Sequence, residues 1–208
     1  MSPQAVAQNV LFGLFVGSSY GVAAVGLSLV FGVLRILNTA HGALLMIGGY
    51  FSYWLFTLLG IDPFVSIVAT AAALIVIGLA LHRGLFVFVE RLDEEPRINT
   101  SLLISFGLAL VIANLAQLLW SADERSVTTA YAGAGAIVAG VVVPYSRLAS
   151  FVVALAAIVG LDRLLRCTYI GKAIRATAED WQAAALAGID VRRTYLITFG
   201  ISAALAGI

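Results

Sequence analysis

Charge is scarce in this sequence. Of its 208 residues only 11% are Asp, Glu, Lys or Arg, against 62% hydrophobic, and the mean hydropathy is +1.03. A soluble domain carries about a quarter charged residues, so this chain cannot cover a globule of its size with polar surface. Lipid has to take the place of water. The charges that exist nearly cancel, 12 Lys and Arg against 11 Asp and Glu, which excludes a basic nucleic-acid surface. A single cysteine, Cys167, excludes an internal disulfide and leaves the redox compartment open. There is no G-x-x-x-x-G-K-[ST] loop: Gly171-Lys172 is followed by Ala173, and Arg166 stands where the first glycine would be. No zinc-spaced His or Cys cluster, no G-x-S-x-G elbow and no cofactor motif is present. No acidic residue lies deep in an apolar run, where ion-coupled carriers commonly place one. The sequence therefore reads as neither an enzyme nor a self-powered pump, with no metal and no cofactor.

What is there is a series of long apolar runs, at 5–34, 39–61, 64–81, 101–122 and 148–165, with a sixth begun at 195–208. About 20 apolar residues span a bilayer as a helix. Hydrocarbon offers the backbone no hydrogen bonds, so such runs are helices or strands of a closed barrel. Barrel strands are about ten residues long and strictly alternating, and these runs are neither. The expected fold is all-α, a polytopic transmembrane bundle with five complete spans and a sixth begun. The first run has no basic start and is too long for a cleavable leader, so a retained helix is expected, either tilted or with an interfacial end. In the fifth run, Asp162 and Arg163 near its end can reach the interface by snorkelling. The sixth run is still apolar at Ile208, which suggests that the natural chain continues. A single membrane domain over 1–208 is expected, with no appended soluble domain.

Basic residues orient the bundle. With the N-terminus outside, Arg35, Arg83, Arg91, Arg97, Arg163, Arg166, Lys172, Arg175, Arg192 and Arg193 fall on the inner side, and only Arg125 and Arg147 on the outer. An outward N-terminus is expected. The inner segment 82–99 then reads as a solvated amphipathic connector, with His82 at the interface. In the outer segment 123–147, Ile137-Val138 and Val141-Val142-Val143 flank Gly140 and suggest a short hairpin. The inner loop 167–193 is helix-compatible and is expected to be cytoplasmic.

Several residues invite a functional reading beside a structural one. Gly13, Gly17 and Gly21 form a small-xxx-small ladder, expected to let a neighbouring helix approach closely. Between the first two spans, Asn38 or Thr39 can cap the second helix. His41 then shares a face with Gly48 and Ser52, which either lines a path or bonds a neighbouring helix. Asn114 and Gln117, one face of the fourth span, read as interhelical glue. In the inner loop, 179–187 is helix-prone: Glu179 and Asp180 suit a helix start, and Gly188 suits a stop. Trp181 and Leu186 are anchors for a partner's groove or for a headgroup surface.

Taken in order, these segments resemble the permeases of ABC-type branched-chain amino acid importers. The resemblance rests on Leu29-Val30-Phe31-Gly32-Val33, Asn38-Thr39-Ala40-His41-Gly42 and Met46-Ile47-Gly48-Gly49-Tyr50, then on Ser101-Leu102-Leu103-Ile104-Ser105-Phe106-Gly107 and the loop 171–188. Within that loop, Gln182-Ala183-Ala184-Ala185-Leu186-Ala187-Gly188 is similar to the E-A-A-x-x-x-G element that importer permeases dock into their ATPases, with Gln182 in the glutamate's place. Thr39 stands where the family usually has an aromatic residue.

The resemblance implies a permease in the bacterial inner membrane. Its partners would be a second permease, two cytoplasmic ATPase subunits, an external binding protein and a small-molecule substrate. It also implies an ATPase-coupling loop bearing Gly171, Arg175, Glu179, Gln182, Ala183, Ala184 and Gly188, and a path or gate near Asn38, Thr39, His41 and Gly42. Urea or short amides are the alternative substrates. An autonomous channel, an ion-coupled carrier and a non-transporting scaffold are the alternatives of other classes.

Overall fold

The computed structural model describes residues 2–121, 123, 125–129, 131, 133–138 and 140–208. Its first helix, α1, runs Pro3–Leu34. Ser2 caps it by accepting from Ala5 N, and proline occupies the first turn, where its missing N–H costs nothing. Arg35, at φ 55°, closes it in the left-handed conformation. Helix α2 (His41–Leu59) ends at Gly60, also left-handed at φ 65°. Asp62 then caps α3 (Pro63–Leu81) by accepting from Phe64 N. A π-helical turn, His82–Phe86, and the short α4 (Val87–Val89) continue α3. Helix α5 (Glu94–Trp120) begins seven residues before the apolar run does. Glu94 and Glu95 favour its positive N-terminus, and Pro96 is tolerated in the first turn. Five helices, α1, α2, α3 with α4, α5 and α6 (Tyr145–Cys167), are long and apolar enough to cross a membrane. Ala122, where the sequence put the end of the fourth span, lies outside the described residues.

The hairpin forms as expected. Strands β1 (Gly135–Val138) and β2 (Val141–Pro144) pair antiparallel, Val138 opposite Val141, with Gly140 at φ 81°. Gln8 of α1 holds it on both sides, donating to Val142 O at 2.9 Å and accepting from Val142 N at 2.8 Å. Tyr131 donates to Asp62. The hairpin therefore sits where α1 and α3 begin.

On the opposite side of the bundle lie α7 (Tyr169–Glu179), α8 (Trp181–Leu186) and the start of α9 (Val191–Ala206). Helix α9 threads between α1 and α3, and its residues Tyr195, Phe199, Ala203, Leu205 and Ala206 are buried. The main core gathers at this end: Val30, Val33, Leu34 and Ile36, Phe86 and Val89, Ile174, Tyr195 and Phe199.

Three expectations need correction. Among the described residues the glycine ladder of α1 packs against nothing: a Cβ on Gly13, Gly17 or Gly21 would meet no atom within 4 Å. The packed residues Phe15, Val22 and Gly26 lie on the other side of the helix, given about 100° per residue. Close approach happens instead at Gly26, whose added Cβ would stand 3.2 Å from His41 and Leu205, and at Gly78, 2.6 Å from Ala203 Cβ. Next, segment 82–99 is not simply solvated. His82 is 3% exposed, and Phe86 and Val89 are buried, because the π-turn carries α3's apolar face into the main core. The Nε2 of His82 meets Glu90 Oε1, and its ring lies 5.5 Å from Phe199. Finally, neither Asn38 nor Thr39 caps α2. Helix α2 starts at His41 with no side-chain cap, since Thr39's hydroxyl is engaged by Ser105 of α5.

Candidate functional site

The turn from α1 to α2 is held by two serines on one face of α5. Ser101 Oγ accepts from Leu37 N at 3.0 Å. Ser105 Oγ accepts from Thr39 N at 3.1 Å, donates to Leu37 O at 3.0 Å and lies 2.9 Å from Thr39 Oγ1. Both serines are fully buried. A buried non-helical stretch needs such partners, because its backbone groups would otherwise be unpaired. Asn38 and His41 are buried beside it, and Asn38 Oδ1 and both ring nitrogens of His41 have no hydrogen-bond partner among the described residues. Thr39 and Gly42 are exposed.

A cavity of about 560 Å³ opens further along α2, toward the hairpin end of the bundle. Leu45, Gly48, Gly49 and Ser52 line it from α2, Val16, Ser19, Tyr20 and Ala23 from α1, and Phe64, Ile67 and Thr70 from α3. Ser150 and the end of α9 complete it. Its walls are apolar, its polar groups are hydroxyls, and no charged residue lines it among the described residues. Thr70 Oγ1 is buried with no hydrogen-bond partner among the described residues, whereas Ser52 and Ser66 bond each other at 2.8 Å. The structure does not bring Asn38, Thr39, His41 or Gly42 into this cavity. His41 packs instead against Gly26 and lies at the end of α2 nearer α7 and α8. The sequence reading reached Gly48 and Ser52 through their helical spacing from His41 but missed Ser19, Thr70 and Ser150. Only their position on otherwise apolar runs could have flagged those three.

The segment 167–193 folds as a helical elbow. Thr168 caps α7 by accepting from Gly171 N at 3.0 Å, and Asp180 caps α8 by accepting from Gln182 N and Ala183 N at 2.9 and 3.0 Å. Gly188, at φ 85°, stops α8, with Gly188 N donating to Ala185 O and Ile189 N to Ala184 O. Helix α7 is strongly two-faced. Gly171, Ala173, Ile174 and Thr177 are buried while Lys172, Arg175 and Glu179 face out. Ile174, 1% exposed, plugs the core shared by α1, α9 and the π-turn. On α8, Ala184 is buried, whereas Trp181, Gln182, Ala183 and Leu186 are exposed, Leu186 to 91%.

Arg97, which no motif singled out, clamps this end. Its guanidinium donates to Glu90 O at 2.8 Å and to Leu92 O at 2.9 Å, and reaches Leu34 O, at the end of α1, at 3.4 Å.

Comparison with known proteins fits this architecture. No solved structure matches the chain. The high-affinity branched-chain amino acid transport system permease protein BraD of Pseudomonas aeruginosa is 31% identical over 214 residues, covering 97% of this chain and 68% of the relative. LivH of Escherichia coli, described in the same words, is 27% identical over 213 residues with the same coverage. Residues 9–208 match the family described as branched-chain amino acid transport system, permease component. Five membrane-capable helices and that match over nearly the whole chain make this a multi-pass membrane protein belonging to the branched-chain amino acid transport permease family.

Proposed function

We propose that the chain is the permease subunit of an ATP-binding-cassette importer and forms the translocation path for branched-chain amino acids across a bacterial inner membrane. The N-terminus and the hairpin face the outside, where a substrate-loaded binding protein docks. Residues 167–193 face the cytoplasm, where two ATPase subunits supply the work. A second permease subunit completes the path, and ATP is hydrolysed only on the separate subunits. The basic residues support this orientation, since they concentrate on the α7–α8 side.

The observation that carries the reading is the elbow of α7 and α8. An exposed apolar pair, Trp181 and Leu186, stands on a capped helix whose neighbour is rooted by Ile174 in the core shared by α1 and α9. Such an element takes a partner's groove on one side and passes displacement to the spans on the other. Gly171, Arg175, Glu179, Gln182, Ala183, Ala184 and Gly188 shape or border it. The cavity of α1, α2 and α3 suits the cargo: apolar walls for a branched side chain, and hydroxyls of Ser19, Ser52, Thr70 and Ser150 for its polar end. The turn of Asn38, Thr39, His41 and Gly42 lies on the cytoplasmic side of that cavity as its inner gate.

Joint replacement of Trp181 and Leu186 by serine is the test, in cells carrying the whole transporter. The expected result is normal membrane insertion with loss of ATPase co-purification and of leucine uptake. Retained co-purification and uptake would refute the coupling role, and uptake of urea in place of leucine would refute the substrate.

A further inference from the structure

The stretch from the end of α6 to the start of α9 carries more positive charge than its own acids balance. Arg163, Lys172, Arg175, Arg192 and Arg193 are exposed, and none has a carboxylate within 4 Å among the described residues. The nearby acids are engaged or distant. Asp162 holds Arg166 at 2.7 Å. Asp180 and Asp190 cap α8 and α9 by accepting from backbone N–H groups. Glu179 is the last residue of α7, about 15 Å along that helix from Tyr169. Lys172 and Arg175 stand three apart on one helix, a spacing at which like charges repel. An anion from outside the chain would relieve that repulsion.

Between α7 and α9 the same stretch forms a largely apolar trough of about 300 Å³. Tyr169, Ile170 and Ala173 line it from α7, and Ile189, Arg193 and Ile197 from the entry to α9. Tyr169 is 77% exposed and Ile170 44%, so large apolar side chains stand open beside the charges. Depth sets the order of these groups. Helix α6, which is membrane-capable, ends at Cys167, just before Tyr169 opens α7, so the trough lies where hydrocarbon meets water. Arg193 stands at its water end, and Ile197 lies one turn, about 6 Å, further into the bundle along α9. Asp190 also borders the trough, but its Oδ1 is tied to Arg193 N at 3.0 Å. A soluble anion would satisfy the cations and leave the apolar walls wet. An uncharged tail would cover the walls and leave the cations unanswered. An anionic phospholipid supplies both in the required order, phosphate outward and acyl chain inward, and basic pockets between helices at a membrane surface select such lipids.

We propose that the trough between α7 and α9 is a binding site for one anionic phospholipid. Its phosphate lies against Arg193 and against Lys172, which is about 60° round α7 from Tyr169, and its acyl chain runs along Ile170 and Ile197. The site depends only on the bundle's place in a membrane and is independent of what the permease carries. Ile174 roots α7 in the core, so a lipid seated here braces the elbow against α9.

The test reconstitutes the full chain in phosphatidylcholine vesicles with a trace of phospholipid bearing a diazirine on its acyl chain. The probe carries either a glycerol or a choline headgroup. After irradiation, peptides covering 169–173 and 193–197 should be labelled roughly twentyfold more by the phosphatidylglycerol probe, the effect of two basic residues on an anionic headgroup. Lys172→Gln combined with Arg193→Gln should bring that labelling down to the choline level. Lys172→Arg combined with Arg193→Lys should retain it, and so should Arg125→Gln combined with Arg147→Gln, which removes charge elsewhere. Equal labelling by the two probes would overturn the site, as would labelling indifferent to the double glutamine variant. In native membranes, p-benzoylphenylalanine at position 170 should form its adduct with phospholipid. An adduct with polypeptide instead would show that protein fills the trough, and the proposal would fall. Should the glutamine variant fail to fold, the headgroup comparison on the unaltered chain still decides.

Discussion

Replacing Gly171 by alanine sets two physical effects against each other. In a helix interior alanine is favoured over glycine by about 1 kcal/mol, so propensity alone makes Gly171→Ala stabilising. The packing says the reverse. The new Cβ would stand 2.5 Å from both Cα and O of Leu165 and closer still to Leu164 O, where ordinary contact is 3.4–4 Å. Every obstructing atom is backbone, so no side chain can swing aside, and α7 would have to back away from α6 by about 1 Å. That shift pulls Gly171 N from the Thr168 hydroxyl and lifts Ile174 from the core. Overpacking costs about 1–3 kcal/mol, and with an unyielding wall the upper end applies, leaving a net loss of about 2 kcal/mol after the gain in propensity. Thermal unfolding of the purified protein in detergent reads the sign directly. Gly188→Ala is the companion: nothing lies within 4 Å of its Cβ, but its φ of 85° makes alanine cost about 1–2 kcal/mol through the backbone alone. An unchanged or raised melting temperature for Gly171→Ala would refute the close crossing of α6 and α7.

Ser105→Ala should cost about 2 kcal/mol, since Leu37 O and the amide and hydroxyl of Thr39 lose one buried partner together; a loss below about 0.5 kcal/mol, the usual range for an indifferent site, would contradict the clasp. Asp180→Ala should weaken α8 by about 1 kcal/mol while Asp180→Asn changes little, because asparagine also caps; protease sensitivity of 180–188 is the measurement, and equal behaviour of the two variants counts against it. The Tyr131 phenol is held above the ordinary tyrosine range, first by partial burial and then by donating to Asp62. A raised folded value means that this contact stabilises fully below about pH 10, the ordinary phenol value, and is lost as pH climbs through the raised one. The tyrosinate absorbance difference between wild type and Tyr131→Phe should therefore have its midpoint lowered by Asp62→Asn; a midpoint indifferent to that change would rule out the contact.

The spans were legible because each depends on local composition. The run 64–81 nearly coincides with α3, and Gly140 with its flanking valines already marked the hairpin. Gly188 and Asp180 likewise announced their roles at the ends of α8 through their own chemistry. What stayed hidden depends on neighbours far along the chain. Nothing near Thr39 reveals that Ser105, 66 residues on, would take its hydroxyl and leave α2 uncapped. Arg97 looked like one more charge in a solvated connector, although its guanidinium closes over the end of α1. The ladder of Gly13, Gly17 and Gly21 has the right spacing for close packing, but spacing does not say which side of a helix meets its neighbours. Gly26 and Gly78, in no such ladder, are where helices touch.

The buried hydrogen bond between His82 Nε2 and Glu90 Oε1 bears on how this end of the molecule can move. Its side chains are only 3% and 7% exposed, and separating them would leave two buried polar groups without their partner, at about 1–3 kcal/mol each. The seven residues between them are therefore clasped into a stiff crank on the tail of α3, and the Arg97 guanidinium bolts that crank to the last carbonyl of α1. A tilt of α3 cannot be absorbed by bending there. It turns the crank, and α1 swings with it.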